Sequence, residues 1–206
     1  MQTSRVFFDV VMSLDGFIAP EGMDMAHADE PEYKQWMKKW AELMDWVSQQ
    51  HFFRENLNLG EGGATGPDNH ILEETFRRTG VSIMGKNMFS GGEHFWPEEA
   101  PFHTPVLVLT NQVRNPWERP GGIESALRQA REVAGNRDIR IAGGANAIQQ
   151  YLGAGLIDEF TIHYVPVFFG HGTPLFANMN FDIKVKMREV VPSQEVAHVT
   201  YEVEKE

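Results

Sequence analysis

The stretch IRIAGGANAIQQYLGAGLIDEFTIHYVPVFFGHGTPLF, residues 139–176, decides the fold. Its first apolar run, Ile139–Ala142, is typical of a short buried strand and leads directly into Gly143-Gly144. Helical spacing of apolar residues follows over Asn146–Ala154, and a β-branched and aromatic run covers Phe160–Val167. A strand, a helix and a strand in this order predict two parallel strands with a helical connection.

The preceding residues show the same alternation of strand-like and helix-like patterns. Asparagine and glycine mark the predicted boundaries: Asn69 is expected to cap a helix that Gly80 stops, and Gly91-Gly92 to end a helix that begins at Gly85. The predicted strands are Arg5–Ser13, Val81–Met84 and Val106–Thr110, and the predicted helices are 33–47, His70–Thr79 and Ile123–Ala134.

The last two predicted strands follow each other directly. Ile183–Val191 and Val196–Val203 are separated by a short break at Pro192-Ser193, which is typical of an antiparallel hairpin at a sheet edge. We therefore predict an α/β fold over residues 1–206: a single-domain, three-layer structure with a central mixed, mostly parallel sheet. Because an exposed alternating edge such as Val196–Val203 invites pairing, a homodimer is expected.

Composition excludes several classes of function. The chain has no cysteine, so neither a disulfide nor a thiolate metal site can form, and its eight histidines show no metal-ligand spacing. A net charge of -11 argues against nucleic acid and anionic membrane surfaces as partners, since both are bound through Lys and Arg. The N-terminal apolar run is interrupted by Asp9, Ser13 and Asp15, which fits neither a signal peptide nor a membrane span, so a cytoplasmic protein is expected.

Two predicted strand-to-helix junctions have the character of anion sites. Gly85-Lys86-Asn87-Met88 and Gly143-Gly144-Ala145-Asn146 each place glycine before a helix start, where backbone N–H groups and the positive end of the helix dipole stabilise a phosphate. A single such junction is more often a tight connection than a nucleotide site. Two such junctions in one α/β chain favour a dinucleotide, although neither matches the ordinary Rossmann or P-loop pattern.

Four segments together carry a resemblance that covers nearly the whole chain. VVMSLDGFIA (10–19), VSIMGKNMFSGGE (81–93), PVLVLTNQ (105–112) and above all residues 139–176 resemble the dihydrofolate-reductase-like family. The branch that they resemble most contains proteins related to the reductase domain of the bifunctional riboflavin-biosynthesis deaminase-reductase. Relatives usually have a further strand between residues 111 and 123, whereas VRNPWERPGG has two prolines and too few strand formers to predict one here.

The resemblance implies an NADPH site and one catalytic residue. Asp15 would lie near the nicotinamide and the substrate, although Asp-Gly is also a favourable turn pair on local grounds. Lys86 stands where relatives often have arginine, and its alternative is a solvated surface lysine. Gly144 is expected to tolerate no side chain, because a Cβ would clash with the phosphate or forbid the required backbone angles. The implied cofactor residues are Ala19, Gly85, Lys86, Asn87, Met88, Thr110, Asn111, Gly143, Gly144, Ala145, Asn146 and Ala147.

The expected function is reduction of a small C=N or C=O substrate, such as a pterin, a pyrimidine or a related compound, by NADPH. The alternative is a protein that binds a nucleotide or another small ligand on the same fold without turnover. A zinc deaminase, the activity fused to the reductase in some relatives, is set aside because its H-x-E and P-C-x-x-C motif is absent.

Overall fold

The computed structural model describes residues 4–24, 31–93, 103–110, 118–119, 122–177, 179 and 182–205. Within these residues the chain forms ten strands and six helices. The strands are β1 Val6–Ser13, β2 Phe17–Ala19, β3 Thr79–Gly85, β4 Val106–Leu109, β5 Glu118–Arg119, β6 Asp138–Ile141, β7 Glu159–Val165, β8 Thr173–Pro174, β9 Val185–Pro192 and β10 Ala197–Val203. The helices are α1 Tyr33–Ser48, α2 His51–Asn56, α3 Pro67–Arg78, α4 Lys86–Glu93, α5 Gly122–Ala134 and α6 Ala145–Gly153.

Eight of these strands form one sheet in the order β5-β4-β3-β6-β1-β7-β10-β9. The six strands from β5 to β7 are parallel, while β10 is antiparallel to both β7 and β9. The predicted mixed, mostly parallel sheet with a C-terminal antiparallel hairpin is therefore confirmed. The carboxyl ends of the parallel strands all meet at one edge of the sheet, where ligands of open α/β sheets bind.

Side chains alternate between the two faces of the sheet, and helices cover both. Phe8 of β1 and Ile162 of β7 belong to the core beneath α5 and α6, whose buried residues include Ala130 and Tyr151. On the other face, α1 and α3 bury a smaller cluster against the sheet that contains Leu43, Trp46, Val47, Leu72 and Val165. The three-layer arrangement follows from these two apolar surfaces, because each helix buries its apolar stripe against the sheet.

The start of α3 differs from the prediction. Gly66, not Asn69, occupies the N-cap, and the helix ends at Arg78 because Thr79 already begins β3. Asn69 lies buried inside the helix, where its Oδ1 accepts a hydrogen bond from the Phe52 N–H at 2.7 Å and its amide donates to Glu73 at 2.7 Å. The asparagine therefore joins α3 to α2, a helix that the sequence patterns did not predict.

Three further boundaries correct the predictions. Residues Glu118–Arg119 do form a strand, parallel to β4, because a two-residue backbone pairing needs little intrinsic strand preference. Helix α4 continues through Gly91-Gly92 to Glu93. The segment Val196–Val203 is no edge: β10 pairs with β7 on one side and β9 on the other, so the exposed edge belongs to β9.

Candidate functional site

The two glycine junctions lie side by side at the carboxyl edge of the sheet. Strands β3 and β6 are neighbours, with Ile83 opposite Ile141. The Ala142 N–H donates to the Ile83 carbonyl at 2.8 Å, and the Gly85 N–H donates to the Gly143 carbonyl at 2.8 Å. Gly85, Gly143 and Gly144, called the glycine row below, therefore form one continuous backbone surface. The Gly143-Gly144 peptide bond is cis.

The glycine row is open on the side away from the protein. A Cβ built on Gly143 or on Gly144 would meet no atom of the described residues within 4 Å, and one on Gly85 would lie 3.8 Å from the Gly143 carbonyl oxygen. Gly143 has φ +109°, which only glycine adopts readily, whereas Gly144 has φ -70°. The backbone part of the Gly144 prediction is thus wrong: the strained position is Gly143, and a side chain at Gly144 would project into open space.

Two helices begin at the glycine row. Gly144 is the N-cap of α6, and its carbonyl accepts the first helical bond, from the Ile148 N–H at 3.2 Å. Helix α4 begins at Lys86, directly after Gly85, and Lys86 is half-buried whereas Asn87 and Met88 are exposed. The first N–H groups of a helix have no partner within the helix, and they carry the positive end of its dipole. The edge therefore presents donors suited to an anion.

Of the remaining predicted cofactor residues, one lies beside the glycine row and one lies in a separate sheet. Thr110 follows the last residue of β4, Leu109, which pairs with Gly85, so Thr110 lies beside the glycine row. Asn111 lies outside the described residues. Ala19 pairs with Thr173 in a two-stranded sheet formed by β2 and β8, separate from the large sheet that carries the glycine row.

Asp15 joins two loops at the same edge, one after β1 and one after β7. Its carboxylate accepts hydrogen bonds from the Ser13 hydroxyl at 2.6 Å, from the Phe169 N–H at 3.1 Å and from the Gly170 N–H at 2.7 Å. The Ser13 oxygen in turn accepts a bond from the Phe17 N–H at 3.0 Å. We call this arrangement the Asp15 clamp, because it holds residues 13–17 against residues 169–170.

The charge of the clamp is stable at neutral pH. The hydrogen bond from Ser13, followed by those from the two backbone N–H groups, outweighs desolvation and lowers the pKa of Asp15 to about 2. A carboxyl group with this pKa is ionised under physiological conditions. In this arrangement the ionised carboxylate positions the two loops, and the catalytic role of Asp15 stays a prediction.

Further contacts hold the same two loops together. The Leu14 N–H donates to the Val167 carbonyl at 3.0 Å, and the Leu175 N–H donates to the Gly16 carbonyl at 3.2 Å. A Cβ on Gly172 would lie only 2.6 Å from the Ala19 carbonyl oxygen, so glycine is required where β2 and β8 meet. The partners of Asp15, Phe169 and Gly170, could not be predicted from the sequence, because no local pattern relates residues that lie 154 and 155 positions apart.

Comparison with known proteins relates this fold to named families. The chain is 41% identical over 191 residues to YyaP, an uncharacterized protein of Bacillus subtilis, across 91% of this chain and 88% of that protein. The chain belongs to the YyaP family. Residues 122–199, from α5 into β10, also match the RibD C-terminal domain. The predicted resemblance to the riboflavin-biosynthesis branch is thereby confirmed.

Solved structures confirm the fold of this YyaP-family protein. A putative riboflavin biosynthesis protein from Shewanella sp. PV-4 matches with a TM-score of 0.68 at 20% identity, covering 98% of this chain and 99% of that one. Dihydrofolate reductase from Enterococcus faecalis, complexed with NADP(H) and RAB-propyl, matches with a TM-score of 0.58 at 12% identity, with 98% of each chain covered. At these identities the likeness establishes the dihydrofolate-reductase-like fold alone.

The described residues contain neither a metal-binding cluster nor a membrane-spanning helix. No group of three or more His, Asp or Glu side chains there is arranged to hold a metal ion. None of the helices in that part of the YyaP-family chain is long and apolar enough to cross a membrane.

Proposed function

We propose that this protein is an NADPH-dependent reductase that transfers a hydride to a C=N or C=O bond of a small substrate, such as a pterin, a pyrimidine or a related compound. The observation that carries the proposal is the open glycine row, where two helix N-termini and a backbone free of side chains meet at the carboxyl edge of the sheet. The match to the RibD C-terminal domain supports a reductase-type function.

The residues present fit a dinucleotide. Gly143, Gly144 and the first turn of α6, Ala145 to Ala147, would hold the pyrophosphate through backbone N–H groups, since a Cβ at either glycine would occupy this space. Lys86 and Thr110 lie beside the row, on the side where a further phosphate would bind. When bound, NADPH supplies the hydride, and the chain's own task is to orient the ring and to exclude water.

The substrate side of the proposed site is formed by the loops after β1 and β7. Strand β1 lies between β6, which carries the glycine pair, and β7, so these loops adjoin the cofactor surface. The Asp15 clamp gives them a defined geometry and leaves Asp15 as a fixed negative charge. The proton that reduction of a C=N or C=O bond requires then comes from another group or from water.

Titration of the purified protein with NADPH and NADH, followed by nucleotide fluorescence, tests the proposal. We expect NADPH to bind more tightly than NADH, and its absorbance at 340 nm to fall when a reducible compound from a panel of carbonyls, imines and pterins is added. Absence of NADPH binding would contradict the cofactor assignment. Tight binding without oxidation by any compound would favour the alternative, a binding protein on the same fold.

For assembly, we propose a homodimer that uses β9. This strand is the exposed edge of the sheet, and it presents Val185, Met187 and Val190 with 42%, 63% and 49% of their surface exposed. An unpaired edge with a row of apolar side chains favours association with a second copy.

Light scattering at micromolar concentration should give twice the monomer mass, and Met187→Asp should shift the measured mass toward that of the monomer. Phe168→Asp, at a 70% exposed position in another part of the fold, is the matched control.

A further inference from the structure

Two histidines from adjacent antiparallel strands face each other inside the protein. His163 of β7 and His198 of β10 are directly opposite in the strand register, and each is only 2% exposed. Their Nδ1 atoms lie 2.7 Å apart, which is hydrogen-bond distance. Trp46 of α1 packs against both rings, with centroid distances of 5.3 Å and 5.2 Å. We call these residues the histidine pair.

Each end of the histidine pair faces a carboxylate. Nε2 of His198 lies 2.9 Å from Oδ1 of Asp68, near the start of α3. Nε2 of His163 lies 3.7 Å from Oδ2 of Asp9, beyond hydrogen-bond distance, and it has no hydrogen-bond partner among the described residues. Both oxygens of the Asp9 carboxylate accept hydrogen bonds from the Arg140 guanidinium, at 2.5 Å and 3.0 Å.

These distances determine where the protons are. Only one proton fits between two Nδ1 atoms at 2.7 Å, so one ring donates and the other accepts. Nε2 of His198 must donate to the Asp68 carboxylate, and a neutral His198 therefore accepts at Nδ1. His163 is then the donor at Nδ1, which leaves its Nε2 without a proton when the ring is neutral. The 3.7 Å gap to Asp9 fits two acceptors that face each other.

We propose that the histidine pair is a buried proton-binding site, in which one added proton enters at Nε2 of His163 and completes a hydrogen-bonded chain from Asp68 through both rings to Asp9. The chain joins α3 to the sheet at the point where β7 meets the C-terminal hairpin. The added proton changes an unsatisfied buried nitrogen into a donor that faces a carboxylate, so it adds a contact between β7 and β1 to the one that already joins α3 to β10 through Asp68 and His198.

The charges around the pair favour one added proton. With both rings neutral, Asp9, Arg140 and Asp68 together carry one net negative charge in a buried region, and the proton cancels it. The other elements packed nearby add no uncompensated charge beside the rings: Val191 of β9 is opposite His198, and α1 contributes the uncharged ring of Trp46.

Charged residues farther along α3 and β9 surround the adjacent concavity. Two of them have their own partners, since Glu74 is paired with Arg77 and Arg78 with Glu159, while Glu189 lies on the rim. A second added proton is opposed, because burial and then the positive charge of His163 lower the pKa of His198. The pair therefore takes up one proton and not two.

The proposal predicts the direction of a stability change with pH. The folded protein binds the added proton between two carboxylates, whereas an imidazole in the unfolded chain has a reference value of about 6.5. Because the folded protein holds this proton between two carboxylates, its stability should increase as the pH falls and decrease as the pH rises. The folding equilibrium constant can change by at most roughly tenfold per pH unit for one proton.

Nuclear magnetic resonance of protein labelled with ¹⁵N-histidine tests the proton positions directly. At pH 8 we expect His163 to be protonated at Nδ1 and His198 at Nε2, with the signals assigned from His163→Gln and His198→Gln. Between pH 8 and pH 5, His163 should become an imidazolium while His198 stays neutral. Reversed tautomers, uptake of two protons together or no titration of either ring in this range would each overturn the proposal.

Unfolding by urea, measured at several pH values, tests the consequence for stability. From pH 8 to pH 6 the folding equilibrium constant of the wild type should rise relative to that of His163→Gln, by severalfold and by no more than the one-proton limit. His70→Gln is the matched control, because His70 lies on the same helix but is largely exposed. A constant ratio between wild type and His163→Gln would contradict the proposal. If His163→Gln does not fold, the magnetic resonance titration of the wild type still decides.

Discussion

The glycine row and the Asp15 clamp lie at the same edge of the sheet and use backbone N–H groups in opposite ways. At the clamp, the N–H groups of Phe169 and Gly170 are taken up by a carboxylate of the protein itself. At the glycine row, the start of α6 faces open space, and a Cβ on Gly144 would touch nothing. One set of donors thus holds an internal anion, while the other is the one that we propose to bind an external anion, and this difference separates loop positioning from the proposed cofactor binding.

The largest expected effect is on NADPH affinity and comes from adding a side chain at the glycine row. Gly144→Val should weaken NADPH binding by at least tenfold, about 1.4 kcal/mol, because the side chain would occupy the space of the phosphate. The fold should be retained, since φ at Gly144 is -70° and no protein atom lies within 4 Å of the added Cβ. Nucleotide fluorescence measures the affinity, and circular dichroism the fold.

Gly66→Val is a closely matched control for this change. Gly66 is also an N-cap glycine in extended conformation, with φ -79°, and a Cβ there would likewise meet nothing within 4 Å. It precedes α3, which packs on the opposite face of the sheet from α6, so NADPH affinity should be unchanged. If folded Gly144→Val binds NADPH as tightly as the wild type, the glycine pair is only a tight connection.

Breaking the clamp should affect turnover more than cofactor binding. In Asp15→Asn the amide cannot accept from all the donors that the carboxylate satisfies, so the loops after β1 and β7 lose their alignment. We expect NADPH affinity to stay within a few-fold and kcat to fall by about tenfold, with the substrate that the panel identifies.

Ser13→Ala is the graded comparison for the clamp, because it removes the hydroxyl donor and leaves the two backbone donors in place. Its kcat should lie between those of the wild type and Asp15→Asn. A loss of NADPH affinity in Asp15→Asn as large as that in Gly144→Val would place Asp15 in the cofactor surface. Unchanged turnover would show that the clamp is not required for the reaction.

The two regions also differ in how far the sequence could predict them. The glycine junctions are local: a buried strand, one or two glycines and a helix follow each other within a few residues, so Gly85 and Gly143 could be placed at helix starts. The clamp depends on Asp15 meeting residues 169–170, and the histidine pair depends on the register of β7 and β10. Only the tertiary structure brings such residues together, which is why Asp15 appeared to be either a turn residue or a catalytic one.

The errors at element boundaries have a related physical cause. Asn69 has the chemistry of a helix cap, but its side chain instead bonds the Phe52 N–H of α2 and, one turn along α3, Glu73. The alternating pattern of Val196–Val203 identifies a strand without showing which neighbour lies outside it, and β9 takes the outer position. Patterns of polarity predict the element, whereas its neighbours are decided by the packing of the whole chain.

A smaller effect is expected from the charge beside the open donors. Lys86→Gln should weaken NADPH binding by a few-fold and leave NADH binding unchanged, because a half-exposed lysine acts on the additional phosphate as a screened point charge. Lys38→Gln, an exposed lysine on α1, is the control and should change neither affinity. Equal affinities of the wild type for NADPH and NADH would contradict the proposed preference for NADPH.

The smallest effect concerns the internal anion and its response to pH. Because the pKa of Asp15 is lowered to about 2, the clamp contributes stability that is present above the ordinary value of 3.8 and is lost as the pH falls toward 2. The difference in unfolding free energy between wild type and Asp15→Asn should therefore be constant from pH 8 to pH 5 and should shrink below pH 4. Urea unfolding at each pH measures it, with Ser13→Ala expected to make the total decline smaller and to raise the pH at which the decline ends, because the largest cause of the lowered pKa is removed. A difference that already changes between pH 8 and pH 5 would mean that another group controls the loops, and the contrast between an internal and an external anion at this edge would then fail.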